Sequence, residues 1–207
     1  TVTTGECFGE KPKVCIFKQL DGTEHWRVWH RNAPNYSTKA LSLNQNLAEF
    51  SQSGWVGTVN NSTIQIGNDG SINLNAKNYI CYAFAEKTGF SSFGIYTGNG
   101  NANGPFINTG FKPGFIIIKR TDTTENWVME NNKKRTYNPT YDFLLADTSS
   151  NPTPGAADNY QKLDILSNGF KVRTTSVYSN ENTGKYVYLA FASAPLVGSN
   201  NVPATAR

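Results

Sequence analysis

Histidine, methionine and cysteine are scarce in this chain, with two, one and three copies among 207 residues, and charged side chains make up only 16%. Each scarcity removes a class of chemistry. There is no Cys-x-x-Cys pair, which excludes the usual cysteine zinc sites. His25 and His30 are five apart on what reads as one strand, a spacing that sends them to opposite faces and keeps them from sharing a metal. No Gly-x-Ser-x-Gly elbow occurs. The run from Gly98 to Gly104 is glycine-rich without the dinucleotide spacing, and Pro105 follows where a helix would have to start. The expectation is therefore a protein without a cofactor that is not an enzyme. A glycan-cleaving alternative would need two of the scattered acids Asp142, Asp147, Asp158 and Asp164 to converge in a cleft.

Concentrated charge is also lacking. Residues 1–100 carry 8 basic and 7 acidic groups and residues 101–207 carry 11 and 8, giving the net +4. The one compact basic cluster, Lys133-Lys134-Arg135, sits among asparagines and reads as a solvated loop, so no nucleic-acid partner is expected. No apolar run approaches the roughly 18 residues of a membrane-spanning helix, and no basic-then-apolar leader opens the sequence, so no membrane partner is expected either. Thr1 in place of Met implies either Met trimming or a piece of a longer polypeptide.

What is abundant is strand and turn material. Hydrophobic residues reach 38% and aromatics 13%, enough for a real core, and Gly, Asn, Ser and Thr are plentiful. The fold class is all-β. Lys11-Pro12, Val14–Lys18 and Glu24-His25-Trp26 return as Lys112-Pro113, Phe115–Lys119 and Glu125-Asn126-Trp127 at a constant offset of 101 (112 − 11, 127 − 26). Tyr79–Ala85 returns as Tyr186–Ala192 at an offset of 107 (186 − 79), and Ile64–Ile66 and Phe170–Val172 hold the same order in between. The chain reads as two tandem duplicated antiparallel β-sandwich-like halves, jelly-roll or lectin-like, over 1–100 and 101–207, joined in the Gly-Asn-rich stretch Thr97–Gly104. Asp21-Gly22, Asn68-Asp69-Gly70 and Ser167-Asn168-Gly169 mark tight turns, and only Ser37–Phe50 offers room for a short helix.

The duplication also sorts the side chains. Cys15 matches Ile116 and Cys81 matches Tyr188, so both read as buried free thiols, with a Cys7–Cys15 bridge as the alternative. Trp26 and Trp127 coincide and read as core. Trp29, Tyr36, Trp55 and Tyr137 belong to one half only, so the shared core does not require them, and they are the candidate contact residues for a protein interface or a sugar face.

Gly110–Arg120, Tyr96–Gly100 with Gly104-Pro105-Phe106, Leu166–Lys171 and Tyr188–Ala192 are spread over most of the chain. In these stretches the sequence resembles a little-characterised β-domain of tail-fibre and other virion proteins of marine and environmental bacteriophages. The resemblance implies a structural protein on the virion surface, in a tail fibre or appendage or as capsid decoration. Its implied partners are other virion proteins and further copies of itself, with host-surface glycan as a second class of ligand. The duplication predicts that all three cysteines are reduced, so that alkylation of the denatured chain without reductant adds three labels by mass; recovery of a Cys7–Cys15 bridge would overturn it.

Overall fold

The computed structural model describes residues 2–3, 9–149, 153–154 and 161–194. The first repeat contains β1 (Val2–Thr3), β2 (Pro12–Gln19), β3 (Arg27–His30), β4 (Lys39–Ser42), β5 (Phe50–Ser51), β6 (Val56–Val59), β7 (Thr63–Ile66), the single-turn helix α1 (Gly70–Asn73) and β8 (Tyr79–Ala85). After β9 (Ser91–Thr97) come the strands of the second repeat: β10 (Phe106–Asn108), β11 (Pro113–Arg120), β12 (Trp127–Asn131), β13 (Asp142–Leu145), β14 (Thr153–Pro154), β15 (Leu163–Leu166), β16 (Gly169–Val172) and β17 (Lys185–Ala192). Every pairing between them is antiparallel, and the fold is an all-β sandwich.

The duplication holds at the level of register. Cys15 opposes Trp29 on β3 and Ala83 on β8, while Ile116 opposes Glu130 on β12 and Ala190 on β17. The ladder is irregular at the same place in both repeats, after Pro12 and after Pro113. Even the loop contacts repeat: the Trp26 N–H donates to Asn44 Oδ1 (3.1 Å) and the Trp127 N–H to Asp147 Oδ1 (3.0 Å). The small sheets correspond as well, in the orders β1-β7-β6 and β10-β16-β15. The large sheets are β5-β4-β3-β2-β8 and β14-β13-β12-β11-β17-β9. Strand β9 precedes the expected junction at 97–104 yet completes the second sheet.

Strand β2 explains the layering. Its alternate residues Cys15 and Phe17 point one way and Val14 and Ile16 the other, and all four are apolar, so the sheet has to be covered on both faces. Cys15, Phe17, Trp29 and Ala40 pack with Val56, Val59 and Ile64 of the first small sheet. Ile116, Ile118, Tyr186 and Tyr188 pack with Ile107, Leu163, Ile165 and Phe170 of the second. The remaining faces meet each other: Val14, Val28 and Leu41 of the first repeat join Phe93, Trp127, Val187 and Leu189 in one central cluster. The order of layers is thus small sheet, large sheet, large sheet, small sheet.

The helix lies elsewhere than expected. Ser37–Phe50 holds β4 and turns, because Ala40 and Leu41 point to opposite faces and fill two different cores, an alternation only a strand provides. The turn at Asn68-Asp69-Gly70 opens α1 instead, where Asp69 caps by accepting the Ser71 N–H at 2.8 Å. His25 precedes β3 and hydrogen-bonds Asn44, so only His30 is on the strand.

Polar bonds cross the central layer. Trp127 Nε1–H donates to the Ser42 carbonyl (2.7 Å), and the buried Lys119 ammonium donates to the Asn46 and Glu125 carbonyls (3.2 and 2.6 Å). Burial lowers the Lys119 pKa to about 8. His30 is fully enclosed: its Nδ1 accepts the Asn32 N–H, which leaves Nε2–H to donate to the Tyr188 carbonyl at 3.3 Å. Loss of solvent lowers its pKa from 6.5 to about 4. Folded His30 stays neutral where the unfolded chain would protonate it. Its contribution is therefore complete above pH 6.5 and is lost as pH falls through about 4, on the order of 3 kcal/mol in all. Urea unfolding at pH 7 and pH 4.5 should show a larger drop for the native chain than for His30→Gln, which keeps an N–H donor; equal drops would disprove the role of His30.

Candidate interaction surface

The two large sheets end differently on the side of β8 and β17. Strand β17 is covered by β9, from Lys185↔Thr97 to Phe191↔Ser91. Strand β8 is its counterpart, yet among the described residues no strand pairs with its outer edge. Side-chain burial follows. Leu189 is 3% exposed and its counterpart Tyr82 is 45% exposed. Val187 is buried and Ile80 half-buried. Trp127 is buried across the central layer, whereas Trp26, expected in the core, is half-buried and stacks on Tyr82 with ring centres 6.2 Å apart. Identity of residue type carried Trp26 into the core set, but the central layer covers only one of the two tryptophans. The result is an open strand edge beside an accessible apolar face made by Trp26, Ile80 and Tyr82.

The four aromatic candidates do not form one exposed platform. Trp29 is fully buried against the first small sheet, with Tyr36 edge-on to it at 6.0 Å. Trp55, expected on a loop surface, is buried in the same cluster, edge-on to Phe17 at 5.9 Å. These are packing residues because the sandwich closes over the loop that precedes β6. Tyr137 lies in the second repeat, 63% exposed, beside an Arg135 that stacks on Tyr141 at 3.6 Å and pairs with Asp142 at 3.2 Å. The structure thus brings Trp29, Tyr36 and Trp55 together and leaves Tyr137 apart.

Trp29 also reaches a cleft of about 320 Å³ lined by Glu10, Lys11, Pro12, Lys13, Arg31, Val59 and Asn61. Its Nε1–H has no hydrogen-bond partner among the described residues. Arg31 lies over the Tyr36 ring at 4.6 Å, and Lys13 is paired with Glu86.

The sequence model of DUF7483, a domain of unknown function, matches residues 1–195. The chain belongs to the DUF7483 family. The match runs through both repeats. No curated protein and no solved structure matches the chain.

Three of the four carboxylates singled out in the sequence have structural partners in this DUF7483 domain. Asp142 pairs with Arg135, Asp164 with Arg173 at 3.4 Å, and Asp147 accepts the Trp127 N–H; Asp158 lies outside the described residues. Glu130, which the sequence did not single out, differs from them. It occupies the position of Trp29, its carboxyl oxygens lack hydrogen-bond partners among the described residues, and burial raises its pKa to about 8. Cys15 and Cys81 are free thiols facing each other in the first core, and the hydrogen bond with Cys81, with burial behind it, pushes the Cys15 pKa well up; Cys7 lies outside the described residues.

The same burial contrast sets the stability effects. Trp55→Ala should cost about 3–5 kcal/mol because it empties a core site. Tyr82→Ser should cost about 1 kcal/mol or less, the worth of one partly solvated ring stack. Denaturant unfolding of the two variants measures both, and a Trp55 variant as stable as the native chain would restore the surface reading for that residue.

Proposed function

We propose that this chain is a non-enzymatic structural module of a bacteriophage particle surface, carried by a tail fibre or appendage or as capsid decoration, and that it works by assembling with virion proteins and further copies of itself. The observation that carries the assembly part is the uncovered edge and apolar face at β8, a surface that the second repeat buries at its own equivalent position. Unpaired strand edges next to accessible aromatic residues recruit other polypeptide, and natural folds cover or blunt them unless they are used. The phage context rests on the motif resemblance in the strand and turn segments, and the particle places the chain outside the host cell.

A second reading, glycan binding for host attachment, has its own support. The cleft beside Trp29 is lined by Lys11, Arg31 and Asn61, donors suited to sugar hydroxyl oxygens. Both uses fit one surface protein.

The assembly reading predicts that Tyr82→Ala weakens attachment to the particle by roughly 5- to 100-fold, the usual cost of about 1–3 kcal/mol for one truncated interface anchor. Electron microscopy of the native assembly should find a neighbouring polypeptide against Trp26 and Tyr82. Solvent on that face in the assembled particle, with contacts elsewhere, would sink the proposal.

A further inference from the structure

We propose that the outer edge of β8 is a strand-acceptor site: its ligand is an extended segment of a protein partner that adds antiparallel to β8, in the register β9 takes on β17, with an apolar side chain opposite Tyr82. The inference rests on the assembly reading and makes it specific.

The internal duplication supplies the template. Strands β8 and β17 occupy equivalent places, since Pro12↔Ala85 and Gln19↔Tyr79 recur as Pro113↔Ala192 and Arg120↔Tyr186. On β17 the added strand places Tyr96 opposite Tyr186, Gly94 opposite Tyr188 and Phe93 opposite Leu189. Carried over by the same offset, those three positions fall opposite Tyr79, Cys81 and Tyr82. Phe93 is a buried member of the central layer, so the residue opposite Tyr82 is expected to be apolar or aromatic. Tyr96 stacks on Tyr186 at 5.0 Å, and an aromatic ring three residues further on would find Tyr79 in the same way. Gly94 is required on β17 because a Cβ there would come within 2.7 Å of the Tyr188 ring. The counterpart of Tyr188 is the smaller Cys81, so the ligand is free of that requirement.

The edges of the two large sheets differ in how they are protected. Strand β5 has two residues, and β14 has two with Pro154 lacking an N–H. The outer edge of β9 is capped at Phe93, whose N–H donates to Glu86 Oε1 (3.1 Å) and whose carbonyl accepts from Asn32 Nδ2 (3.0 Å). Strand β8, Tyr-Ile-Cys-Tyr-Ala-Phe-Ala, has seven residues, none charged and none proline. Among the described residues no side chain hydrogen-bonds the backbone of Tyr79–Phe84. Apart from the Ala85 carbonyl, which accepts from Ser91 Oγ at 2.8 Å, the strand is long, uncharged and uncapped, and over Tyr79–Phe84 it lacks the devices that keep an edge from pairing.

The test uses the intact chain and a capped peptide of residues 90–98, Phe-Ser-Ser-Phe-Gly-Ile-Tyr-Thr-Gly, followed by amide hydrogen exchange. At about 1 mM peptide, exchange at Tyr79–Phe84 should slow roughly tenfold. A peptide with Asp in place of its second Phe should give no slowing, nor should the native peptide with the Tyr82→Lys chain, whose unfolding midpoint stays near that of the native chain. Three results would overturn the proposal: no slowing, equal slowing by a scrambled peptide, or slowing confined to Lys185–Ala192, where the peptide would only be exchanging with β9. If Tyr82→Lys weakens particle attachment while the peptide leaves β8 unprotected, the assembly reading stands and strand addition falls.

Discussion

Everything in this fold depends on sheets that are apolar on both faces. A sheet with one apolar face is satisfied by a single partner layer, but β2 and β11 carry apolar side chains at consecutive positions, and each must be covered twice. The small sheets cover one face of each large sheet. The other faces have only each other, and the central layer around Val14, Leu41, Phe93 and Trp127 follows. This is why the repeats share a core and why the buried polar groups that span it, His30 and Lys119 among them, are tied to backbone carbonyls of the opposite repeat. Buried polar groups need partners, and here the neighbouring repeat supplies part of them beside Asn32 and Glu125 from the same repeat.

Much of this was legible in the sequence, for physical reasons. Strand registers within a repeat follow from alternation, from the equal spacing of Pro12 and Trp26 with Pro113 and Trp127, and from the preserved order of Tyr79 and Tyr186 after them, since a slip of one residue would turn every side chain to the wrong face. Burial at the central layer was not legible. Trp26 and Trp127 have the same residue type and both donate their N–H to a loop side-chain oxygen, and still one is buried and one half-open, because coverage depends on how two sheets are offset when they pack. The same blindness placed Trp55 on the surface: its lack of a counterpart says that the second repeat does without it, not that the first does.

Trp29 and Glu130 show how far equivalent positions diverge. Both lie opposite a β-strand residue of the same rank and both point into a core, yet one is the largest apolar side chain and the other an acid that burial holds protonated near neutral pH. The frame tolerates this because backbone pairing is unchanged at both sites, so the side chain alone sets the local chemistry. The open face at β8 reflects a similar divergence in context, Tyr82 and Leu189 sharing a rank while only one of them is covered.

The origin of β9 has a geometric consequence. The polypeptide that connects the repeats is also the strand that closes the second large sheet, so the second repeat is completed by what comes just before it in the chain. Such a rule is heterologous: the surface that gives and the surface that receives are different. If a partner's segment adds at β8 by the same rule, that contact too joins unlike surfaces and has direction, with the receiving edge on this chain and the giving segment on the partner.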